Sequence, residues 1–292
     1  DAKQAKRLRV TGRDDLFAQL EGLENTSDER IVLLMLHGIS SYYPLDSGST
    51  EIVMDRLLQV IGSVDRLSAH VRSAAIEVMS GILSADWFPV HLEPAVSIRT
   101  LLNCLTSEKS EIDSEVLISA LNLFAARLNN FASNRTVTLA VLKWTKQTLT
   151  EAEFAMVRSG CLRLLTLLTV RLQSSDTSGK SGLLSPRLHL SSPPSLRRGS
   201  SRDARLMSKS DDLSSSERLA KLEQLLIGYS TDVDSRVRTT ALSCLLTLWD
   251  RGHSPSLELY SMVCKCLDDS GETVRLLAIE LIRLFAQRYP ER

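Results

Sequence analysis

At 292 residues the chain allows one or two globular domains or a single elongated array, and its 35 Lys+Arg against 35 Asp+Glu give a formal net charge of zero. That balance gives no support to a whole-protein electrostatic grip on nucleic acid, although a local basic patch stays open. With 43% hydrophobic and 24% charged residues, the composition is that of an ordinary soluble protein.

Cys104, Cys161, Cys244, Cys264 and Cys266 are odd in number and spread through apolar helical runs, which predicts reduced, buried thiols in an intracellular protein. Cys264 and Cys266, two apart on a helix, point to different faces, and no second Cys or His pair accompanies them, so no metal site is expected. The longest apolar run, Ile31 to Leu36, is far too short to span a bilayer, and no signal-peptide pattern opens the chain. A nuclear or cytosolic location is expected.

Residues 1–13 are polar and basic, with Lys3, Lys6, Arg7, Arg9 and Arg13, and read as a solvated flexible terminus. Their run Lys6-Arg7-Leu-Arg9 also has the character of a nuclear import fragment or a phosphate-contacting arm. Helical periodicity starts at Asp14, first with Leu16, Leu20 and Leu23, then with Ile31 to Ile39. Asp28 and Glu29 put negative charge at a helix N-terminus. Pro44, Asp46 and Gly48 interrupt the pattern, and Ser49 or Thr50 is placed to cap the helix that carries Ile52, Leu57, Val60 and Ile61.

A motif then recurs. Val71-Arg72, Val157-Arg158, Val237-Arg238 and Val274-Arg275 each precede an apolar helical stripe, and Val116 belongs to a degenerate copy in which Leu117 replaces the Arg. Four residues after each Val stands a small residue: Ala75, Ala120, Cys161, Ala241 or Ala278. A small side chain there lets a neighbouring helix approach closely, while residues one and two turns later fill the core. The valines are 45, 41, 80 and 37 residues apart. The long interval falls to about 38 once a low-complexity stretch of roughly 42 residues is set aside, and that period is the signature of a helical repeat array.

The low-complexity stretch, 174–213, is Ser-rich, holds Pro186, Pro193 and Pro194, and carries Arg187, Arg197, Arg198, Arg202 and Arg205. It lacks the apolar periodicity that offsets ordering entropy and reads as a disordered insertion between repeats. Arg197-Arg198-Gly-Ser200 and Arg205-Leu-Met-Ser208 suit basophilic kinases, and Ser185-Pro186 and Ser192-Pro193 suit proline-directed ones. Ser214-Ser-Ser-Glu217 is a capping-box pattern where periodicity resumes. The expected organisation is therefore a flexible 1–13, repeats over 14–173, the insertion at 174–213 and repeats over 214–292. The fold class is all-α: an α-solenoid of about six helix pairs, still in repeat sequence at its last residues and expected to continue.

No catalytic constellation is legible. His37, His70, His91, His189 and His253 are dispersed, and there is no His-x-x-x-His, Cys-x-x-Cys, phosphate-binding Gly-rich loop or nucleophile elbow. The chain is not expected to be an enzyme or to carry a cofactor. Arg72, Arg158, Arg238 and Arg275, with Asp232 and Asp269, recur at repeat spacing and are expected to form a ladder of Asp–Arg contacts between neighbouring units. A phosphate-holding role for these arginines is the competing reading.

The motif Asp-x-x-x-x-Val-Arg in a two-helix unit near 40 residues resembles the HEAT repeat. The stretch from Leu226 through Asp232, Arg238, Trp249-Asp-Arg and Cys266-Leu-Asp-Asp269 to Val274-Arg275, with the ending Gln287-Arg-Tyr-Pro-Glu291, resembles the Integrator complex subunit 4 family over about the last 80 residues. Met156 to Leu165 and Lys6 to Arg9 fit more loosely, and the Ser-rich insertion departs from the family pattern. The resemblance implies a nuclear, non-catalytic scaffold that joins other Integrator subunits, especially subunits 9 and 11, in the cleavage module for small nuclear RNA 3′-end processing and transcript termination. Arg163, Arg171, Glu280 and Arg283 are candidate partner-binding residues. The alternative is a HEAT-type adaptor that binds peptide or protein cargo in transport or trafficking. Direct RNA contact through the basic terminus and the insertion is a weaker third reading.

Overall fold

The computed structural model of the chain describes residues 14–23, 26–89, 91–107, 113–178, 214–251, 253 and 256–289. Among these residues the fold is all-α, without strands. Helix α1 covers 14–23, followed by α2 (Glu29–Ile39), α3 (Ser47–Ile61), α4 (Ala69–Leu83), α5 (Pro94–Ser107), α6 (Ser114–Ala126), the single turn α7 (Leu128–Phe131), α8 (Arg135–Glu151), α9 (Ala155–Ser178), α10 (Ser215–Tyr229), α11 (Ser235–Asp250), α12 (Leu257–Lys265) and α13 (Glu272–Arg288).

The helices stack in two rows. In the first, α2, α4, α6, α9, α11 and α13 each pack on the next. In the second, α3 packs on α5, α5 on α8 and α10 on α12, while α3–α4, α8–α9, α10–α11 and α12–α13 join the rows. The recurring Val-Arg motif opens every first-row helix from α4 onward, with Leu117 in place of the Arg in α6. Val71, Val116, Val157, Val237 and Val274 are buried, as is every small residue four positions later, from Ala75 to Ala278. α6 and α9 approach closely, since a Cβ on Gly160 would lie 3.0 Å from Leu121 Cδ1. One hydrophobic core runs from Leu16 to Phe285. On α13, the last of the row, Leu276 and Ile279 stay more than half exposed, although Ile76, Leu121, Leu162 and Leu242 at the position of Ile279 are buried.

Helix starts follow local chemistry. Ser214 and Glu217 form a complete capping box on α10, and Ser256 Oγ accepts the Leu259 N–H at the start of α12. Asp28 Oδ1 accepts the Arg30 N–H at the start of α2. At α3 the cap is Asp46, whose carboxylate accepts the Ser49 N–H at 2.8 Å. Ser49 and Thr50, expected from sequence to cap this helix, are instead buried within it. Thr50 Oγ1 donates to the Asp46 carbonyl, so the start lies one turn earlier than the Gly48 breaker suggests. Helix α9 continues to Ser178, past the first residues assigned to the Ser-rich insertion. The remainder of that insertion, with Ser185, Ser192, Ser200 and Ser208, and the basic residues 1–13 lie outside the described residues.

None of the five cysteines forms a disulfide; Cys161, Cys244 and Cys266 are buried, whereas Cys104 and Cys264, expected from sequence to be buried, are half-buried because they lie toward the edge of their helices' apolar stripes. Burial pushes the Cys161 thiol up to about 12, so the nucleophilic thiolate is scarce at neutral pH. Cys161 is accordingly expected to resist a maleimide in the native chain and to label quickly in guanidinium, as read by site-resolved mass spectrometry. Rapid native labelling at Cys161 would contradict this packing.

Candidate partner-binding face

The patterned arginines and aspartates join neighbouring helices of the first row. Arg158 at the start of α9 reaches across to the turn before α11, donating from Nε and Nη2 to the two carboxylate oxygens of Asp232, both at 2.9 Å. Arg238 at the start of α11 does the same to Asp269 before α13, with both bonds at 2.7 Å. The pairs are largely enclosed, with 14% and 10% of the Arg158 and Asp232 side chains exposed and 11% and 12% of those of Arg238 and Asp269. A planar guanidinium facing a carboxylate in this two-pronged way is the strongest arrangement the two groups have.

Each arginine also ties down the turn behind it. Arg158 Nη1 donates to Glu153 O at 2.5 Å, Arg238 Nη1 to Asp232 O at 2.8 Å, and Arg275 Nη1 to Asp269 O at 2.7 Å. The aspartates organise the same turns, since Asp232 Oδ1 accepts the Asp234 N–H and Asp269 Oδ1 accepts the Gly271 N–H. The bond from Arg238, followed by the Gly271 amide, outweighs desolvation and holds the Asp269 carboxyl below its ordinary value. In the two bidentate rungs the guanidinium nitrogens face carboxylate and carbonyl oxygens of the chain. These rungs fix register and leave little to offer a ligand.

Arg72 is buried and donates from Nε to Ile61 O at 2.7 Å, closing the C-terminal end of α3. Side-chain contacts between α4 and α6 include His70 Nδ1 with Glu115 Oε1 at 2.9 Å and Ser73 Oγ with Ser119 Oγ at 2.6 Å, and Leu117 stands where α6 would carry the motif arginine toward α9. A further buried node lies farther along: Glu223 of α10 pairs with His253 Nε2 and accepts the Ser256 N–H at 3.0 Å. Burial alone would raise the Glu223 carboxyl, but the bonds from His253 and Ser256 outweigh it and the net direction is down. The Glu223 node was not legible from spacing, because its members become neighbours only once α10 and the turn before α12 are packed.

The four candidate partner-binding residues separate into two kinds. Glu280 and Arg283 pair with each other on α13, at 2.9 and 2.5 Å, and largely neutralise one another. Arg163 and Arg171 are exposed on α9 and line two adjoining hollows. The larger, about 420 Å³, lies between α6, α9 and α11 and includes Leu121, Met156, Ser159, Arg163, Arg236 and Thr239. The smaller, about 250 Å³, includes Asn129, Leu167, Val170, Arg171 and Arg251. Ala125 lines both, so they form one continuous surface. A third hollow, also about 250 Å³, lies between α8, α9 and α10 and includes Lys146 and Lys221.

Among the described residues no group of three or more His, Cys, Asp or Glu side chains is placed to hold a metal ion, and no helix is long and apolar enough to cross a membrane. The chemistry this surface offers is recognition through guanidinium groups, hydroxyls and apolar side chains.

No family model matches the chain. Integrator complex subunit 4 from Mus musculus is 42% identical over 69 residues, covering 23% of this chain and 7% of that protein. The Integrator complex subunit 4 homolog of Dictyostelium discoideum is 41% identical over 71 residues, covering 24% and 6%. The longest of these matches is to Integrator complex subunit 4 from Homo sapiens, 26% identical over 248 residues. It takes in 85% of this chain and 21% of the human protein, so the chain spans about a fifth of that relative's length. By these matches the chain is similar to a portion of Integrator complex subunit 4.

Proposed function

We propose that the chain is a HEAT-type α-solenoid and serves as a non-catalytic scaffold of a nuclear Integrator assembly. In this reading its helix pairs present surfaces on which other subunits assemble, among them the endonuclease pair formed by subunits 9 and 11. Its contribution to small nuclear RNA 3′-end processing and transcript termination is then organisational. The observation that carries the reading is the similarity to Integrator complex subunit 4 along 85% of the chain. Supporting it, the Arg158–Asp232 and Arg238–Asp269 rungs repeat one contact at successive first-row interfaces, as expected of a nearest-neighbour array that builds an extended binding surface.

Affinity purification of the tagged chain from nuclear extract tests the reading. The expected result is recovery of Integrator subunits, the nuclease pair included. Recovery of transport receptors or coat components in their place would favour a trafficking adaptor and overturn the proposal.

A further inference from the structure

The double hollow on α6, α9 and α11 has a one-sided chemistry. Arg163 and Arg236 line its first half and Arg171 and Arg251 its second, and among the described lining residues there is no carboxylate. Arg236 is answered locally by Asp234, at 2.7 Å. Arg163 and Arg251 are exposed, and neither forms an ion pair among the described residues. Apolar groups sit between the charges: Met156 is 50% and Leu167 39% exposed, and Ile118, Leu121 and Val170 continue the lining below them. Ser159 lines the first half with a buried hydroxyl that has no hydrogen-bond partner. Met156, Arg163, Leu167 and Arg171 occupy one helix at spacings of seven, four and four, so apolar and basic side chains alternate along a single ridge.

From this placement we infer that the α6–α9–α11 face binds an acidic amphipathic helix of a protein partner, with carboxylates on Arg163 and Arg251 and an apolar stripe over Met156 and Leu167. The inference rests on the scaffold reading and adds the chemistry of the occupant. Guanidinium forks match carboxylates in geometry as well as charge. Exposed apolar side chains set among the arginines favour an occupant that buries hydrocarbon alongside its charges. Nucleic acid fits less well. Neither hollow has an aromatic lining residue on which a base stacks, and a phosphate backbone leaves Met156 and Leu167 without apolar cover. Arginine at the centre of such a surface is also the residue type on which protein interfaces concentrate binding energy.

The test places a photo-crosslinking amino acid at Leu167 of the tagged chain in cells and identifies the captured partner by mass spectrometry. The expected capture is one protein segment with excess Asp and Glu and apolar residues at intervals of three and four. Its yield falls roughly tenfold or more in the variant Arg163→Glu/Arg251→Glu, and it is unchanged in Lys146→Glu/Lys221→Glu, which alters the separate hollow between α8 and α10. Circular dichroism and thermal melting confirm that both variants keep the fold, since the replaced side chains at Arg163 and Arg251 are exposed. Capture of RNA, capture of a basic or uncharged segment, absence of a crosslink, or a yield indifferent to the arginine reversal would each overturn the inference. Co-purification is read separately: Integrator subunits recovered without a Leu167 crosslink leave the scaffold reading standing and remove this one. An acidic segment captured from a protein outside Integrator does the reverse.

Discussion

Replacing Arg238 by Ala is expected to lower the stability of the chain by about 2–4 kcal/mol, far above the 0–1 kcal/mol typical of a surface ion pair. The difference lies in what the guanidinium holds. Its removal takes both guanidinium bonds from the largely enclosed Asp269 carboxylate, leaving it the Gly271 amide, and frees the Asp232 and Val233 carbonyls that Arg238 Nη1 ties together. Asp269→Asn keeps the shape and one acceptor oxygen but loses the charge and the second acceptor, so its cost is expected to be smaller, about 1–2 kcal/mol. The pH dependence follows from the direction of the Asp269 shift. Its folded value is held below the ordinary 3.8, chiefly by Arg238, so its contribution is complete above that value and is lost as pH falls through the folded value. The gap between wild type and Asp269→Asn should therefore be flat around neutrality and shrink below about pH 4. Urea unfolding at a series of pH values, with a double-mutant cycle at Arg238 and Asp269, measures both. A coupling energy near zero at pH 7 would show that the rung carries no register.

Phe124→Ala is expected to cost about 3–5 kcal/mol, the larger of the two effects. Phe124 is fully buried in α6 and meets Trp144 of α8 edge-on, with centroids 5.4 Å apart at 83°. It also meets Phe131 of α7 at 6.5 Å and 76°. Truncation removes the transfer free energy of the ring, opens a cavity where three helices converge and deletes both edge-to-face contacts. Phe124→Leu refills part of that space and should recover at least half of the loss. Denaturant midpoints at constant m-value give the comparison. A loss below about 1 kcal/mol for the Ala variant would mean that the α6–α8 contact is not closely packed.

Much of this fold was legible because its instructions are local and repeated. Val71, Val116, Val157, Val237 and Val274 announce the same helix start, and a small residue one turn later announces the same close approach. The Asp232 and Asp269 spacings likewise indicated a contact between neighbouring units, and the two bidentate pairs join the residues that this spacing singled out. What escaped was whatever depends on packing between distant segments. His253 and Glu223 lie 30 residues apart with no shared pattern, and the bond from Arg72 to the Ile61 carbonyl closes a helix end that the motif does not announce. At α3 a competition between neighbouring caps was decided by Asp46, whose ionised side chain is a stronger acceptor for an amide than a hydroxyl. The candidate face was only half visible. Arg163 and Arg171 were readable as exposed positions on one helix, but Arg236 and Arg251 join them only when α11 packs on α9. Glu280 and Arg283, equally exposed, answer each other within a helical turn.

We propose a division of labour: the bidentate Arg158 and Arg238 hold the stack together, and the unpatterned arginines on the α6–α9–α11 face select the partner. Quantitative mass spectrometry of subunits co-purifying with tagged Arg163→Glu/Arg251→Glu, beside wild type, tests it most directly. The expected result is a variant with the wild-type melting temperature and a loss of one or more partner subunits of roughly tenfold or greater. A folded variant that recovers every partner at the wild-type level would contradict it.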